Sequence, residues 1–163
     1  MDIKIEYNAI GIVHSPFKKP EGTPIQPVVE IEETFATIEL FPEYAEGLKD
    51  LEGFSHIYIL FHLHLSKKQP LLVIPFLDNE YHGVFATRSP GRPNSIGLSV
   101  VKLEKIEGNL LTVKNPDMLD GSPVLDIKPY VSEFDAIKTT KNGWLEKNIH
   151  KMRHIRDDGR FQI

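Results

Sequence analysis

The densest group of side chains able to do chemistry lies in residues 86–99, ATRSPGRPNSIGLS. Arg88 and Arg92 belong to this group, and Pro90 and Pro93 fix the backbone φ angle on either side of Arg92. Because a stiffened loop loses little entropy on binding, the two guanidinium groups could hold a carboxylate or phosphate bidentately. A solvated turn would have the same composition, but rigidity combined with clustered donors favours an anion-binding loop.

A second candidate is a histidine pair on a predicted strand over residues 55–65. Alternation places His62 and His64 on one strand face, opposite an apolar face, and this spacing can present two metal ligands. Residues 66–69, SKKQ, supply two cations where a carboxylate ligand would be expected to follow. We therefore predict no metal site, and expect His64 to act as a hydrogen-bonding group or a general base.

A third candidate is the acidic stretch that contains Asp117, Asp120 and Asp126 around an Asp-Gly turn. Aspartates in turns commonly accept hydrogen bonds from nearby backbone N–H groups. They could equally form an acidic rim that faces the arginine loop, which would suit a ligand carrying both signs of charge. The residue pattern leaves both interpretations open.

Composition limits the class of protein. The chain has 163 residues, of which 40% are hydrophobic and 26% charged, and it contains no cysteine. Disulfides, thiolate metal sites and cysteine nucleophiles are therefore excluded. The sequence shows neither an apolar run of bilayer length nor a signal-peptide pattern, so we expect one cytoplasmic, soluble domain without membrane association.

Charge is unevenly distributed. Residues 136–163 carry seven Lys or Arg against three Asp or Glu, a net of +4 in a chain whose net charge is −4, so the first 135 residues carry −8. A basic tail could bring a polyanion to an acidic body, with Lys147, Lys151 and Arg156 available to phosphates. A solvated helix face that only covers the body is the alternative.

Hydrophobic periodicity predicts a mainly β chain. Strands are expected over residues 3–13, 34–40, 55–65, 71–76, 84–86, 96–106, 110–113 and 124–130, with a hairpin turn at Gly108-Asn109. A short helix is predicted over 42–48 and a C-terminal helix over 144–156. We expect a small closed or nearly closed β-barrel at 1–135, and a basic, helical tail at 136–163 packed on it.

Six ordered segments resemble one known family. They are 11–17 (GIVHSPF), 51–56 (LEGFSH), 83–90 (GVFATRSP), 92–94 (RPN), 96–99 (IGLS) and 119–130 (LDGSPVLDIKPY). Over about residues 10–130 the chain resembles the TsaA-like (TrmO) family. The resemblance implies a small β-barrel that binds S-adenosylmethionine, usually as a homodimer, and transfers methyl to N6 of threonylcarbamoyladenosine beside the tRNA anticodon.

The resemblance also implies site residues. Cofactor binding is expected at Gln26, Pro27, His64, Arg88, Leu98, Asp117, Met118, Leu119 and Asp120. Substrate binding is expected at Arg92 and Asn94 and, from the tail charges, at Lys147, Lys151 and Arg156; candidates for the catalytic base are His64, Asp120 and Asp126.

The chain departs from the family pattern at four places. Val28 replaces a glycine, Ser95 a proline and Leu65 a polar residue, and the basic tail takes the place of an extra C-terminal domain found in longer members. Two other functions stay open on the residues: a non-catalytic module that binds S-adenosylmethionine or a nucleotide, and a histidine metalloenzyme on a β-barrel.

Overall fold

The computed structural model describes residues 3–27, 33–67 and 70–161. The strands are β1 (Gly11–His14), β2 (Phe35–Leu40), β3 (His56–His62), β4 (Leu72–Val73), β5 (His82–Gly83), β6 (Ile96–Glu107), β7 (Leu110–Lys114) and β8 (Pro123–Pro129). One α-helical turn, α1, spans Ser132–Asp135. Short 3₁₀ helices span Pro42–Leu48, Leu51–Gly53, Val84–Ala86, Gly143–Lys147 and Ile149–Lys151. No helix among these is long and apolar enough to cross a membrane.

Six strands close into an antiparallel barrel in the order β1-β2-β7-β6-β3-β8. The ring is completed where Gly11 of β1 pairs with Val124 of β8. Strands β4 and β5 form a separate two-stranded ladder outside the ring. The expected mainly β fold with a small closed barrel is confirmed.

Alternation along the strands builds the barrel core. The inward side chains of β3 are almost fully buried: Ile57, Ile59 and Phe61. Those of β2 are buried in the same way: Ala36, Ile38 and Leu40. Two glycines fit special positions. A Cβ on Gly97 would lie 2.4 Å from the Phe61 ring, so only glycine fits at this position of β6. Gly108 has a positive φ of 64° in the predicted turn between β6 and β7.

The predicted strand over residues 3–13 is mostly wrong. Only Gly11–His14 is a strand, with backbone hydrogen bonds that begin at Ile10, and the alternating Ile3, Ile5 and Tyr7 are largely exposed. The ladder cannot extend because β2 and β8 take up the two edges of β1 over a short length, which leaves the preceding residues without a neighbouring strand.

Three further predicted strands end differently. β3 stops at His62: the amide of Leu63 still donates to the carbonyl of Ser95, but the amide of Ser66 then donates to the carbonyl of Leu63, which turns the chain. Residues 84–86 form a 3₁₀ helix, and only Leu72–Val73 is a strand within 71–76. As a result, His64 lies in a turn and does not share a strand face with His62.

The predicted continuous helix over 144–156 is also wrong, whereas the one over 42–48 is confirmed as a 3₁₀ helix with Pro42 at its start. In the tail, Gly143 has a φ of 59°, and Asn148, with φ −119°, separates the two 3₁₀ helices. A segment this short holds an α-helix only through packing of one face, and its apolar side chains instead line a cavity.

Candidate functional site

A cavity of about 970 Å³ lies beside the barrel, where β3 and β6 meet three outer segments. We call these segments, residues 17–26, 71–87 and 143–161, the cap. The volume is at the upper end of the range for small-molecule sites. Eight residues expected from the sequence to bind cofactor or substrate line the cavity: Gln26, His64, Arg88, Arg92, Asn94, Leu98, Asp117 and Leu119.

Arg88 reaches from the arginine loop to the cap. Its Nη1 donates a hydrogen bond of 2.7 Å to Oε1 of Gln26. The guanidinium uses few of its five donors in this contact and remains exposed on the cavity wall, so it is placed to receive an anionic group.

Arg92 has a different role from Arg88. Its Nη1 donates to the backbone carbonyls of Thr87, at 3.1 Å, and Ser89, at 3.3 Å. Thr87 in turn donates through Oγ1 to the carbonyl of Val84 at 2.8 Å. Arg92 therefore stiffens the loop from within, and the two prolines act together with it.

Asp117 is an acid in a poorly solvated position. Burial raises the pKa of its carboxyl group to about 6, and the hydrogen bond from Ser99 Oγ to Oδ1, at 2.5 Å, opposes that rise. An acid held in this way is stabilised by a cationic ligand nearby, because the positive charge compensates for the lost hydration.

His64 lies in the turn after β3 and contacts the adjacent residues Gly121 and Ser122. Its Nδ1 is 3.4 Å from Ser122 Oγ, and a Cβ on Gly121 would lie 3.8 Å from its Nε2. Burial, and then the neighbouring His62, lower the pKa of the imidazole. His64 is therefore neutral at pH 7 and can accept a proton.

The other two base candidates lie outside the cavity. Asp120 accepts the amide of Ser15 at 3.0 Å and pairs with Lys18 at 2.9 Å, and the hydrogen bond from Lys18 is the main reason why its pKa is lowered. Asp126 accepts the amide of Ile127 at 2.9 Å and pairs with Lys128 at 2.8 Å.

Two residues expected at the cofactor are also placed elsewhere. The side chain of Met118 is fully buried in the barrel core, and its carbonyl accepts a hydrogen bond from Ser15 Oγ. Pro27 follows Gln26 but is not part of the cavity lining. Val28, where the chain departs from the family pattern, and Lys68 and Gln69, which follow the histidine pair, fall outside the described residues.

The tail supplies cavity residues that the sequence did not point to as a site. Trp144, Leu145, Ile149 and Met152 line the cavity. Trp144 donates through Nε1 to the carbonyl of Ala86 at 2.8 Å and stacks on His82, with ring centroids 4.6 Å apart. The same residues formed the apolar stripe from which we predicted a helix. The stripe is visible in the sequence, but it marks a cavity wall and not the buried face of a helix.

The three basic tail residues expected to bind substrate, Lys147, Lys151 and Arg156, lie outside the cavity lining, whereas the acidic Asp157 is part of it. Lys147 and Lys151 are exposed on the two 3₁₀ helices, and Lys151 Nζ donates to Asn148 Oδ1 at 2.9 Å. Arg156 donates to the carbonyls of Arg153 and Ile155 and pairs in a bridge with Pro24. Within the described ranges, no three His, Cys, Asp or Glu side chains are grouped to hold a metal ion.

The site thus combines a cationic fork, a carboxyl group of raised pKa, a neutral imidazole and an apolar wall. The sequence model of the tRNA-methyltransferase O N-terminal domain matches residues 12–136. The chain belongs to the tRNA-methyltransferase O family.

Relatives and solved structures of the tRNA-methyltransferase O family agree with this membership. A Pyrococcus abyssi protein named "Probable S-adenosyl-L-methionine-binding protein" is 53% identical over 161 residues, 99% of this chain and 87% of its own. The human tRNA (adenine(37)-N6)-methyltransferase is 38% identical over 155 residues, 89% of this chain. The crystal structure of TrmO from Pseudomonas aeruginosa superposes with a TM-score of 0.72 at 39% identity over 87% of this chain.

Members of the tRNA-methyltransferase O family differ in length. The matched region is 34% of the human enzyme and 63% of the Pseudomonas chain. The region shared with these longer relatives includes the barrel, the arginine loop and the Asp117 segment, since the family match runs from residue 12 to residue 136.

Proposed function

We propose that this protein is an S-adenosylmethionine-dependent methyltransferase that acts on the N6 nitrogen of threonylcarbamoyladenosine next to the tRNA anticodon. The observation that carries the proposal is that Arg88 and Asp117 line the same cavity of about 970 Å³. A cationic fork and a carboxyl group suit an amino-acid ligand, which carries both charges. The family membership and the name of the human relative support the reaction.

The residues present fit the cofactor. Arg88, held by Gln26, would bind the carboxylate of the methionine part, and Asp117 would bind its ammonium group. Leu98, which is 50% exposed, and Leu119 give an apolar surface for the adenine. When bound, S-adenosylmethionine supplies a methyl group on a positively charged sulfur, so the protein has mainly to align donor and acceptor.

His64 is the best placed of the three base candidates. It lines the cavity with a lowered pKa, whereas Asp120 and Asp126 are held by Lys18 and Lys128 outside the cavity. The acceptor N6–H must lose a proton as the nitrogen is methylated, and a neutral imidazole can take it. We therefore assign proton removal to His64.

The assembly and location also belong to this proposal. Exposed apolar side chains near the barrel end, Phe134 and Ile137, offer surface for a second copy, and a two-fold dimer is the commonest soluble assembly. A homodimer that works on tRNA in the cytoplasm fits the expected chemistry. Sedimentation equilibrium at micromolar concentration should show a species of twice the 18.6 kDa chain mass, and an exclusively monomeric species that binds cofactor would remove the dimer.

The deciding experiment is transfer of radiolabelled methyl from S-adenosylmethionine to bulk tRNA, followed by nucleoside analysis. We expect label in a derivative of threonylcarbamoyladenosine. His64→Gln should lower turnover by more than it lowers cofactor affinity, and Asp126→Asn is the matched control outside the cavity. Cofactor binding without transfer to any tRNA would indicate a non-catalytic binding module, and a stoichiometric transition metal in active protein would indicate a metalloenzyme.

A further inference from the structure

Two aromatic rings belong to the cap side of the cavity and are not among the groups assigned to the cofactor. Trp144 comes from the tail and Phe85 from the 3₁₀ helix Val84–Ala86, and both line the cavity. We propose that these two rings form the seat for the acceptor base, an adenine turned out of the tRNA loop. The inference rests on the proposed methyl transfer to tRNA and adds the residues that hold the acceptor.

Trp144 is rigidly held before any ligand arrives. Its indole N–H donates to the carbonyl of Ala86 at 2.8 Å, and its ring stacks on His82 with an interplanar angle of 20°. His82 is itself fixed by a 3.0 Å contact between its Nε2 and Oδ2 of Asp78. An aromatic plane fixed in this way loses little entropy when a second planar group stacks beside it.

Phe85 is exposed although it lies at the cavity. Its side chain is 77% exposed, whereas Val84, immediately before it, is 1% exposed and buried in the cap. The residue after it, Ala86, provides the carbonyl that holds Trp144. The two rings therefore belong to one fixed unit, and a stacked base would cover apolar surface that is otherwise in contact with water.

The cavity lining is divided chemically in a way that fits two ligands. Arg88, Asp117 and His64 are charged or polar, whereas the tail contributes the apolar Leu145, Ile149 and Met152 and only one carboxyl group, Asp157. A neutral, planar base suits the apolar wall better than the charged end of an amino acid does. Exposed bases of single-stranded RNA loops are commonly recognised by stacking on aromatic side chains.

Charge beside the aromatic wall points to a nucleic acid. Lys147 belongs to the same 3₁₀ helix as Trp144, and Lys151 to the same one as Ile149, and both cations are exposed. A base seated against the wall brings its flanking phosphates toward the outer face of these helices. The tail would thus contribute stacking and phosphate contacts from one short segment.

The chain provides its own probe of this seat, since Trp144 is the only tryptophan. Full-length protein is titrated first with S-adenosylhomocysteine alone and then, with that ligand present, with an anticodon stem-loop RNA that contains the modified adenosine. We expect the fluorescence of Trp144 to change little in the first step and to be quenched in the second. If S-adenosylhomocysteine alone quenches Trp144 fully, the cofactor adenine lies against Trp144 and the proposal is wrong. The proposal is also wrong if the RNA binds without quenching Trp144.

Kinetics give an independent test. Phe85→Ala and Trp144→Ala should each lower kcat/KM for tRNA by about 10- to 100-fold, the range expected for loss of one base-stacking contact. Their affinity for S-adenosylmethionine should change less than twofold. Trp144→Phe, which keeps a stacking ring but loses the hydrogen bond to Ala86, should have an activity between those of Trp144→Ala and wild type. Tyr7→Ala removes a similarly exposed aromatic ring, 70% exposed and outside the cavity lining, and is the matched control.

The outcomes separate this inference from the proposed function. If wild type transfers methyl and Phe85→Ala does so equally well, the seat is wrong and the methyltransferase stands. If wild type transfers no methyl, the proposed function is wrong. In that case, quenching of Trp144 by the stem-loop RNA would still support the base seat, and the lack of such quenching would rule it out. Phe85→Ala removes an exposed side chain, so it also decides the question if Trp144→Ala does not fold.

Discussion

The barrel and the cap are built in different ways. The barrel has continuous hydrogen-bonded ladders between six strands and a contiguous core of fully buried aliphatic side chains. The cap has one small cluster of Val73, Val84 and Phe161, packed against Phe76, and the tail is tied down by isolated contacts such as Trp144 to Ala86. Stability therefore resides in the barrel, and the cap can provide ligand recognition without being needed for the barrel to fold.

The largest expected effect tests where stability resides. Ile59→Ala empties a fully buried position in β3 and should lower the free energy of unfolding by about 2–5 kcal/mol. Leu72→Ala in the cap removes a 60% exposed side chain of the same size class and should cost less than about 0.5 kcal/mol. Urea unfolding measures both, and equal losses would contradict the division between barrel and cap.

The next effect concerns the pH dependence of stability that comes from Asp117, a residue of the cavity lining. The pKa of Asp117 is raised from its usual 3.8 to about 6 in the folded protein. The contribution of this group to the stability of the protein is therefore greatest below pH 4 and is lost as pH rises through 6. The loss should amount to at most about 3 kcal/mol. Asp117→Asn should remove this part of the pH dependence in urea titrations of ligand-free protein, and Asp126→Asn should leave it in place.

A smaller effect separates the two arginines of the loop. Arg88→Ala should weaken S-adenosylmethionine binding by about 1.5–3 kcal/mol, because a charge-assisted contact is lost. Arg88→Lys keeps the charge without the planar fork and should fall between wild type and Arg88→Ala. Calorimetry provides the affinities.

Arg92→Ala is the companion variant, because Arg92 bonds to the carbonyls of its own loop. It should lower stability more than it lowers cofactor affinity. A larger affinity loss in Arg92→Ala than in Arg88→Ala would reverse the roles of the two residues.

The smallest effect concerns the outer surface of the tail. Lys147→Gln combined with Lys151→Gln should reduce the slope of log affinity for tRNA against log salt by about 1.5–2 units, since two phosphate contacts are lost. Cofactor affinity should be unchanged. Lys102 and Lys105 of β6, replaced in the same way, are the control on the barrel. Equal slopes in wild type and the tail variant would leave the tail as a cover for the cavity.

The sequence predicted the barrel better than the cap, for a physical reason. Alternation in β2 and β3 is a local signal, and inward residues such as Ile38 and Ile59 are buried as expected. The apolar stripe of the tail is also local, but residues lining a cavity can have the same spacing as a helix face. Its true partners, Ala86 and His82, are distant in sequence and could not be inferred from spacing.

The site residues divide along the same line. The arginine loop was recognisable because its prolines and arginines are adjacent in sequence, and Arg88 and Arg92 do line the cavity. Their separate roles depend on Gln26 and on loop carbonyls, which composition does not reveal. Asp120 and Asp126 looked equivalent to Asp117, but ion pairs with Lys18 and Lys128 occupy them outside the cavity.

The pairing of Gly11 with Val124 has a consequence for how the protein is made. The first strand can complete its ladder only after the last strand has left the ribosome, so the nascent chain stays open during most of its synthesis. Ring closure between such distant segments is slow, on the order of milliseconds to seconds. Phe161 must then be buried beside Val73 and Val84 before the cap is complete, so the chain can recognise its ligand only after residue 161 has been made.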